Sequence, residues 1–529
     1  MIINLKFQNF SNYCLFLHKY RDTMRNFIIL LFIGISISLS SCRQDFVFEA
    51  STGDLTFSKD TIYLDTVFTN IGSSTYTLKV YNRSNKDIKI PLIKLGKDDS
   101  KYRITVDGMT GENNHTFRDV EMLAKDSMYI FVEVTADVAD SNPADFIYTD
   151  QIQFDTGTNF QKVDLVTLIQ DAYFIYPSRT QNPDNSYTYE EINLGVDADG
   201  NPIPFRASVL DENDPVNGNE FIWNNSKPYV IYGYAVVPDG KTLNIEPGAQ
   251  IHFHADSGLI VGTGGTLKSI GTLQNQIVFE GDRLEPIFSD VPGQWGTIWL
   301  TAGSTANEID YTTIKNATVG LLIDSNDGNF MTIKNTQIYD SSNLGIYAKT
   351  AKIKGENIVI NTAGVASLAC TLGGSYEFKH CTFNNNWSSS KQVAVLLDNY
   401  YRDENNAQVP FDLIQADFIN CIIYGSNTYE LRFDKGETGT FNSSFTKCLV
   451  KFGTSNDALY SFIYDENNIK RNKNPKFLNI FTNQLNIGVD SEAKEFGVDA
   501  DVPLDILGMP RTAPYDVGAY NWVTFPEDN

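Results

Sequence analysis

The unit Phe378-Lys-His-Cys-Thr-Phe383 decides the fold, because it recurs as Phe418-Ile-Asn-Cys-Ile-Ile423 and Phe445-Thr-Lys-Cys-Leu-Val450. Each copy begins and ends with an apolar residue. Three earlier copies share that pattern: Ile309-Asp-Tyr-Thr-Thr-Ile314, Ile333-Lys-Asn-Thr-Gln-Ile338 and Ile353-Lys-Gly-Glu-Asn-Ile358. The first residues of the six copies are 24, 20, 25, 40 and 27 residues apart. This repetition predicts a solenoid of stacked β-coils. The interval of 40 predicts one coil with a long insertion, or nearly two coils.

The two apolar ends of each unit are five residues apart, so a straight strand would point them to opposite faces. A corner at the third residue would restore a common face, and Asn335, Gly355 and Asn420 suit a left-handed corner. The fourth residue should then point inward; the six copies place there Thr312, Thr336, Glu356, Cys381, Cys421 and Cys448. We predict that the three thiols form a packing column rather than a metal site. Glu356 breaks the column and is either out of register or at a local bulge.

The coils that precede these units carry a family resemblance. The stretch LNIEPGAQIHFHADSGLIVGTGGTLKSIGT begins at Leu243 and is followed by IVFEGD and Trp295-Gly-Thr-Ile-Trp299. It resembles the opening coils of right-handed parallel β-helix proteins of the pectate-lyase-like group. The tail, with Asn474-Pro-Lys-Phe477 and Asp516-Val-Gly-Ala-Tyr520, resembles the closing segment of secreted β-helix proteins. The resemblance implies a right-handed parallel β-helix over residues 229–525. That fold carries lyases, hydrolases, epimerases, adhesins and inert scaffolds, so it does not identify an activity.

Residues 44–176 are predicted to be a separate β-sandwich, because short alternating segments recur between turn signals. The run TVFTNIGSSTYTLKVYNRSNKDIKI, which begins at Thr66, resembles immunoglobulin-like modules of bacterial envelope proteins. No catalytic cluster is evident there, which indicates a spacer or packing module. Residues 177–228 are rich in Pro, Asn, Asp and Ser and are predicted to be a linker.

The N-terminal segment predicts the location of the protein in the cell. Met24-Arg25-Asn26 precedes an apolar run that ends in Leu39-Ser-Ser-Cys42, which resembles the lipobox of bacterial lipoproteins. The resemblance implies a signal peptide over residues 24–41, cleavage before Cys42 and lipidation of its sulfur. Residues 1–23 fit no part of such a signal and are interpreted as a start-site extension. We expect an outer-membrane lipoprotein of the cell envelope, with the periplasmic and surface faces both open.

The chain of 529 residues has 65 acidic and 41 basic side chains, a formal net charge of −24. This balance argues against nucleic acid as a partner, because each neutralised phosphate needs a Lys or Arg. It also argues against electrostatic docking on an anionic lipid surface.

The longest departure from coil spacing follows Asn384-Asn-Asn-Trp387 and includes Asp398-Asn-Tyr-Tyr-Arg-Asp-Glu404. Loops carry function more often than coils, and aromatic rings stack on sugars while charged groups bind hydroxyls or carboxylates. The candidate ligand-binding residues are Trp387, Asp398, Tyr400, Tyr401, Arg402 and Asp403. A solvated loop whose aromatics pack on the coil edge is the alternative. No catalytic residue is assigned, because no repeated Asp pair on consecutive coils is evident.

Two patterns raise the question of metals. Asp197-Ala-Asp-Gly-Asn201 has the spaced oxygens of a calcium loop, but it lacks the EF-hand glycine and glutamate, and a hairpin turn explains it more simply. His252 and His254 should point outward and could share a metal, but no third ligand is evident, which favours surface histidines. No cofactor is expected, and calcium stays an open alternative.

These observations predict a lipid-anchored, non-catalytic surface module that binds glycan or protein along the solenoid. Its partners would be the membrane, through the anchor, and a polysaccharide or another envelope protein. A monomer is expected. A polysaccharide lyase or glycoside hydrolase working in a groove of the β-helix is the alternative, and a structural spacer is the second.

Overall fold

A computed structural model describes residues 46–113, 115–141, 146–196 and 200–525, the side chains of 194–196 excepted. The predicted start-site extension, the signal peptide and Cys42 lie outside the described residues, as do Asp197–Asp199 of the calcium pattern. In the described ranges, no helix combines the length and apolar character needed to span a bilayer.

The chain divides into two compact units. The first contains residues 46–63, Ser74–Val134 and Thr149–Val166. The second contains Leu64–Ser73, Thr135–Tyr148 and the chain from Thr167 onward.

The sheets of the N-terminal part form the predicted β-sandwich. One sheet has the spatial order Glu49–Ala50, Ile88–Leu95, Ile147–Phe154, Gln161–Gln170 and Thr61–Phe68, with Thr116–Met122 also paired to Ile88–Leu95. The other has the order Leu55–Phe57, Tyr76–Asn82, Ser127–Val134 and Tyr102–Val106. Alternation builds the core: in Ser127–Val134, Ile130 and Val132 are fully buried whereas Tyr129 is half-exposed. The rings of Phe57 and Phe154, one from each sheet, lie 4.8 Å apart between centroids.

The second unit is a single-stranded parallel β-helix, as predicted. A complete coil contributes one strand to each of three sheets, numbered in the order in which the chain enters them, and successive complete coils pair in parallel. Sheet 1 contains Ile222–Trp223, Thr242–Ile245, Thr266–Ile270, Glu308–Asp310, Met331–Lys334, Lys352–Glu356, Gly374–Lys379, Leu413–Ile419 and Ser444–Thr446. Sheet 2 contains Tyr173–Ile175, Tyr229–Ile231, Gln250–Phe253, Ile277–Gly281, Thr312–Lys315, Gln337–Ser341, Val359–Ala363, Thr382–Asn385, Ile422–Gly425, Cys448–Val450 and Ile469–Arg471. Sheet 3 contains Glu191–Val196, Pro202–Val209, Tyr234–Val237, Gly258–Val261, Trp295–Leu300, Ala317–Ile323, Leu344–Lys349, Ala366–Thr371, Val393–Asp398 and Leu431–Asp434. Its first strand, Glu191–Val196, pairs antiparallel with the second, and the others pair in parallel.

The segment 177–228, expected to be a linker, supplies strands to this unit. Pro202–Val209 pairs in parallel with Tyr234–Val237 in sheet 3, and Ile222–Trp223 opens sheet 1. Arg179–Gln181 and Tyr187–Tyr189 form a separate antiparallel pair. The turns between these strands are polar, and they gave the segment the composition that is typical of a linker.

The smaller elements are short. Two further antiparallel pairs are formed by Tyr400–Arg402 with Gln408–Pro410 and by Phe477–Asn479 with Gln484–Ile487. The 3-10 helices of the described residues are Val138–Asp140, Gly157–Asn159, Pro286–Phe288, Ala458–Tyr464 and Ile480–Thr482.

The corner between sheets 1 and 2 has the predicted left-handed conformation. Its residues have φ values between 41° and 55°: Tyr311, Asn335, Asn357, His380, Asn420 and Lys447. In the third unit the corner is Asn357 instead of Gly355, because Gly355 pairs with Ile333 and Phe378 within sheet 1. The unit in register is therefore Gly355–Ile360, and Glu356 was out of register.

The corrected register completes the inward column of sheet 2. Its members are all buried and stand over one another on successive coils: Ile277, Thr312, Thr336, Ile358, Cys381, Cys421, Cys448 and Ile469. The thiols are free and fully buried, which confirms the predicted packing column. Burial raises the pKa of the Cys421 and Cys448 thiols far above the ordinary range, so these groups stay neutral.

The C-terminal segment covers the outer face of sheet 2. Ile506 packs against Val359 and Tyr339, and Ile487 packs against Ile422. Arg511, only 8 % exposed, donates to the Asn357 side chain.

The last coil ends in an aromatic cap. The 3-10 helix Ala458–Tyr464 places the Phe462 ring 4.7 Å from the Phe445 ring and the Tyr460 ring 5.0 Å from the Phe433 ring, measured between centroids. These rings pack against the apolar interior at this end, where among the described residues only the strand Ile469–Arg471 continues a sheet of the β-helix.

Candidate functional site

The outer face of sheet 3 carries a row of side chains in strand register. Going up the coils, the row is Trp299, Leu322, Tyr347, Ala369, Leu396 and Arg432. These residues alternate with inward ones such as Ile298 and Leu368, so the pleat directs them away from the core. Trp299, Leu322, Tyr347 and Leu396 are half-buried and Arg432 is exposed. The row forms a shallow, partly aromatic surface that we call the sheet 3 face.

Charged residues border the sheet 3 face where its strands end. Asp324 accepts a hydrogen bond from the Trp299 indole at 2.7 Å. It also forms an ion pair with Lys349 at 2.6 Å. The Lys349 ammonium lies 5.6 Å from the centroid of the Tyr347 ring. These contacts fix the orientation of the aromatic rings.

Two carboxylates stand on consecutive coils at this border. Asp398 and Asp434 are direct register partners on adjacent strands. Asp398 accepts a hydrogen bond from the Leu372 amide at 2.7 Å, and Asp434 accepts one from the Tyr400 hydroxyl at 2.8 Å. Burial, together with the nearby charge of Asp434, raises the pKa of Asp398 to about 6.

The predicted loop is an antiparallel hairpin, Tyr400–Arg402 with Gln408–Pro410, placed directly after this pair of acids. Tyr400 joins the site through Asp434, and the Arg402 guanidinium lies 5.6 Å from the Tyr400 ring centroid. Tyr401 is 45 % exposed and lies beside Phe411. Asp403 accepts the backbone amides of Asn405 and Ala407, so its carboxylate stabilises the turn.

Trp387 lies elsewhere. It precedes the strand Val393–Asp398, whereas the hairpin follows that strand. Trp387 and Tyr400 therefore lie beyond opposite ends of that strand, whose six residues span roughly 20 Å. The structure therefore brings Asp398, Tyr400 and Arg402 together and leaves Trp387 at another corner.

Sequence reasoning missed Asp434, Arg432 and Trp299. The signal for Asp434 was present, since Leu396-Leu-Asp398 and Arg432-Phe-Asp434 both end a strand with an acid after an apolar residue. The hairpin between them stretched the interval beyond ordinary coil spacing and hid the pair of acids. The sequence showed no repeated Asp pair on consecutive coils, and the structure places this one pair there.

The two histidines differ from each other. His252 is buried, not exposed as expected, and burial lowers its pKa; its Nδ1 lies 3.2 Å from the Gly281 carbonyl. It points outward between the inward Ile251 and Phe253, as expected, but the Phe68 ring covers it at 4.9 Å between ring centroids. His254 is half-exposed and bonds Asp282 at 2.7 Å, which raises its pKa. No group of three potential metal ligands occurs in the described parts of the chain.

Comparison with known proteins finds only remote similarity to solved structures. No known family model matches the chain, and no curated protein does. The E. coli chaperone DraB is 12% identical over 23% of this chain, which spans 57% of DraB, with a TM-score of 0.16. PapD-like domain 7 of human CEP192 is 12% identical over 25% of this chain and 95% of its own, with a TM-score of 0.15. The catalytic unit of the GH87 alpha-1,3-glucanase from Streptomyces thermodiastaticus is 10% identical over 70% of this chain and 79% of its own, with a TM-score of 0.26. These values establish no shared function.

Proposed function

We propose that the protein is an envelope-anchored module that binds polysaccharide on its sheet 3 face. The observation that carries the proposal is the register row from Trp299 to Arg432, in which two partly exposed rings, Trp299 and Tyr347, lie two coils apart beside charged residues. A polysaccharide also repeats along its length, so a row with one position per coil can contact consecutive sugar units. Aromatic faces suit the apolar face of a sugar ring, and the bordering charges suit its hydroxyls.

The test measures retention of the protein in gels that contain polysaccharide. Trp299→Ala and Tyr400→Ala should each weaken retention, by about tenfold in affinity, because one stacked ring contributes roughly 1 kcal/mol or more. Tyr63→Ala is the matched control, since Tyr63 is 67 % exposed in the first unit. Retention that survives both sheet 3 variants, or that no polysaccharide produces, would contradict the proposal. Complete absence of binding would favour a structural spacer.

A glycoside hydrolase is the second candidate, and the Asp398–Asp434 pair favours it. Adjacent strands lie about 4.8 Å apart, which is close to the carboxyl separation of retaining glycosidases. A carboxyl whose pKa is about 6 beside a second acid could serve as the general acid. The experiment incubates the protein with acidic and neutral polysaccharides and assays new reducing ends and unsaturated products. Product that is lost in both Asp398→Asn and Asp434→Asn would replace the binding role with this one.

We also propose that Cys42 carries the lipid anchor, on the strength of the Leu39-Ser-Ser-Cys42 pattern. Two or more acyl chains give stable membrane attachment. Cells fed radiolabelled palmitate should label the protein and retain it in the membrane fraction. Cys42→Ala should abolish the label, whereas Cys14→Ala should not.

A further inference from the structure

A pocket of about 580 Å³ lies at the corner where sheet 2 leads into sheet 3, away from the hairpin and its acids. Its wall on the β-helix side includes Asn384, Tyr424 and Lys451, and its other wall is the C-terminal stretch 474–481. We call it the corner pocket. Asn386, next to Trp387, also lines it.

A directional chain of hydrogen bonds ends at this pocket. Asn483 donates to the Asp340 carboxylate at 3.1 Å, Asn361 donates to Asn483 at 2.7 Å, and Asn384 donates to Asn361 at 2.8 Å. A carboxylate only accepts, so every side-chain amide in the series directs its N–H toward Asp340. The series therefore ends at the side-chain carbonyl of Asn384, whose Oδ1 accepts no hydrogen bond from the other members.

That carbonyl has no hydrogen-bond partner, although Asn384 is only 1% exposed. An unpaired buried acceptor costs on the order of 1–3 kcal/mol, and such groups are rare in native proteins. A ligand that supplies a hydroxyl or N–H donor here would remove this cost. Asn384 is also among the residues that line the corner pocket, so the unpaired acceptor belongs to a pocket-lining side chain.

Charge at the corner pocket is opposite to that of the chain. The chain carries a net charge of −24, yet no Asp or Glu is among the described residues that line the pocket, and two lysines are. Lys451 is held in place by the Gly425 carbonyl, with its ammonium 4.9 Å from the Tyr424 ring centroid. Lys476 is exposed at the rim. The pocket suits an anionic group.

Aromatic surface completes the pocket. Phe481 lies at its edge with 83% of its surface exposed, so its ring is accessible to a ligand in the pocket. Tyr424 and Phe477 supply further rings, whose centroids lie 6.4 Å apart. A ring for stacking, an acceptor for a hydroxyl and ammonium groups for an anion together match one chemical class.

We propose that the corner pocket binds a sugar unit that carries an anionic group. Its hydroxyl donates to Asn384 Oδ1, its carboxylate or phosphate pairs with Lys451 and Lys476, and its ring lies against the exposed face of Phe481. The site is separate from the sheet 3 face and does not depend on the function proposed for that face.

Calorimetric titration of the full chain tests the site with D-glucuronate, D-glucose 6-phosphate, D-glucose and inorganic phosphate. At least one anionic sugar should bind about tenfold or more tightly than both glucose and inorganic phosphate, since each of these lacks one of the two recognised groups. Preference between glucuronate and glucose 6-phosphate decides whether the anion is a carboxylate or a phosphate. No binding by either anionic sugar, or equal binding of glucose, would overturn the proposal.

Surface variants locate the site without threatening the fold. Lys476→Gln should weaken binding of the anionic sugar several-fold, and Phe481→Ala should weaken it at unchanged charge. Lys473→Gln is the matched control, because Lys473 is an exposed lysine of the same stretch that does not line the pocket. Trp299→Ala should leave this binding unchanged even where it abolishes retention by polysaccharide, so the two proposals fail separately. Binding that Lys476→Gln and Phe481→Ala leave intact would contradict the assignment.

Discussion

At the scale of single residues, Asn420 shows what the repeat pattern reveals and what it hides. Its φ of 54° makes the corner predicted from the six-residue unit. Its side chain also donates to the Val498 carbonyl at 2.8 Å and accepts the Val498 amide at 3.0 Å. The corner is a local property, so the unit predicts it. The bond to Val498 joins residues 78 apart in sequence, which periodicity does not encode.

Glu430 gives a prediction at this scale. Its side chain is fully buried, and burial raises its pKa to about 8 from an ordinary value of 4.5. A raised carboxyl pKa contributes stability that is fully present below about pH 4.5 and is lost as the pH rises through about 8. The glutamine of Glu430→Gln stays neutral at every pH. The free energy of unfolding of this variant should therefore exceed that of the parent chain by a margin that grows between pH 4.5 and pH 8. The advantage should reach on the order of 3 kcal/mol at pH 9.

Urea unfolding at pH 4.5, 6, 7.5 and 9 checks this expectation. Glu437→Gln is the control, because Glu437 is exposed a few residues away. If the free energies of unfolding of the parent chain and Glu430→Gln change with pH in the same way across the whole range, Glu430 does not carry a raised pKa.

At the scale of elements, the interval of 40 residues between Phe378 and Phe418 is one coil with insertions, as one of the two expectations had it. The hairpin between sheets 3 and 1 is the larger insertion, and a shorter one carries Trp387 between sheets 2 and 3. The sequence predicted an insertion but not its division. Both parts are polar and aromatic, and only strand pairing assigns them to different corners.

The hairpin should be dispensable for folding. The Phe411 amide donates to the Asn399 carbonyl at 2.7 Å, so the two ends of the insertion already meet. Replacing Tyr400–Pro410 by Asn-Gly should therefore keep the thermal midpoint within a few degrees of the parent chain. The same replacement should abolish retention by polysaccharide, since it removes Tyr400 and its contact with Asp434. A chain that no longer folds would show that the hairpin is structural, and unchanged retention would remove it from the binding face.

At the scale of the β-helix as a whole, the outer faces of the three sheets differ in what covers them. Sheet 2 is covered by the C-terminal segment. Sheet 1 carries ladders of opposite charge, such as Lys268 with Glu308 at 3.1 Å and Lys334 with Glu356 at 2.9 Å. Sheet 3 keeps two partly exposed rings, Trp299 and Tyr347, which is why we propose that binding occurs there. The coil pattern predicted the stacked β-coils, whereas what covers the outer face of each sheet depends on side chains that the inward repeat leaves unconstrained.

The packing of the C-terminal segment on sheet 2 leads to a prediction about the stability of the second unit. Ile506, 1% exposed, packs against the outer face of the sheet, whereas its neighbour Leu507 is 44% exposed. Ile506→Asp should lower the free energy of unfolding by roughly 3 kcal/mol or more, because it buries a charge that has no partner built for it. Leu507→Asp should change it by less than about 1 kcal/mol. Urea midpoints measure both variants, and similar losses would mean that the segment does not cover the sheet.

The aromatic cap beyond the last coil also determines how such a protein can change in size. Phe462 and Tyr460 close the upper end, so no new turn can be appended there without removing them. Between the two ends, every turn offers its neighbours the same pairing surface, and one more winding could be spliced in without altering either terminus. Growth of this architecture, by duplication in nature or by design, should therefore happen from the middle.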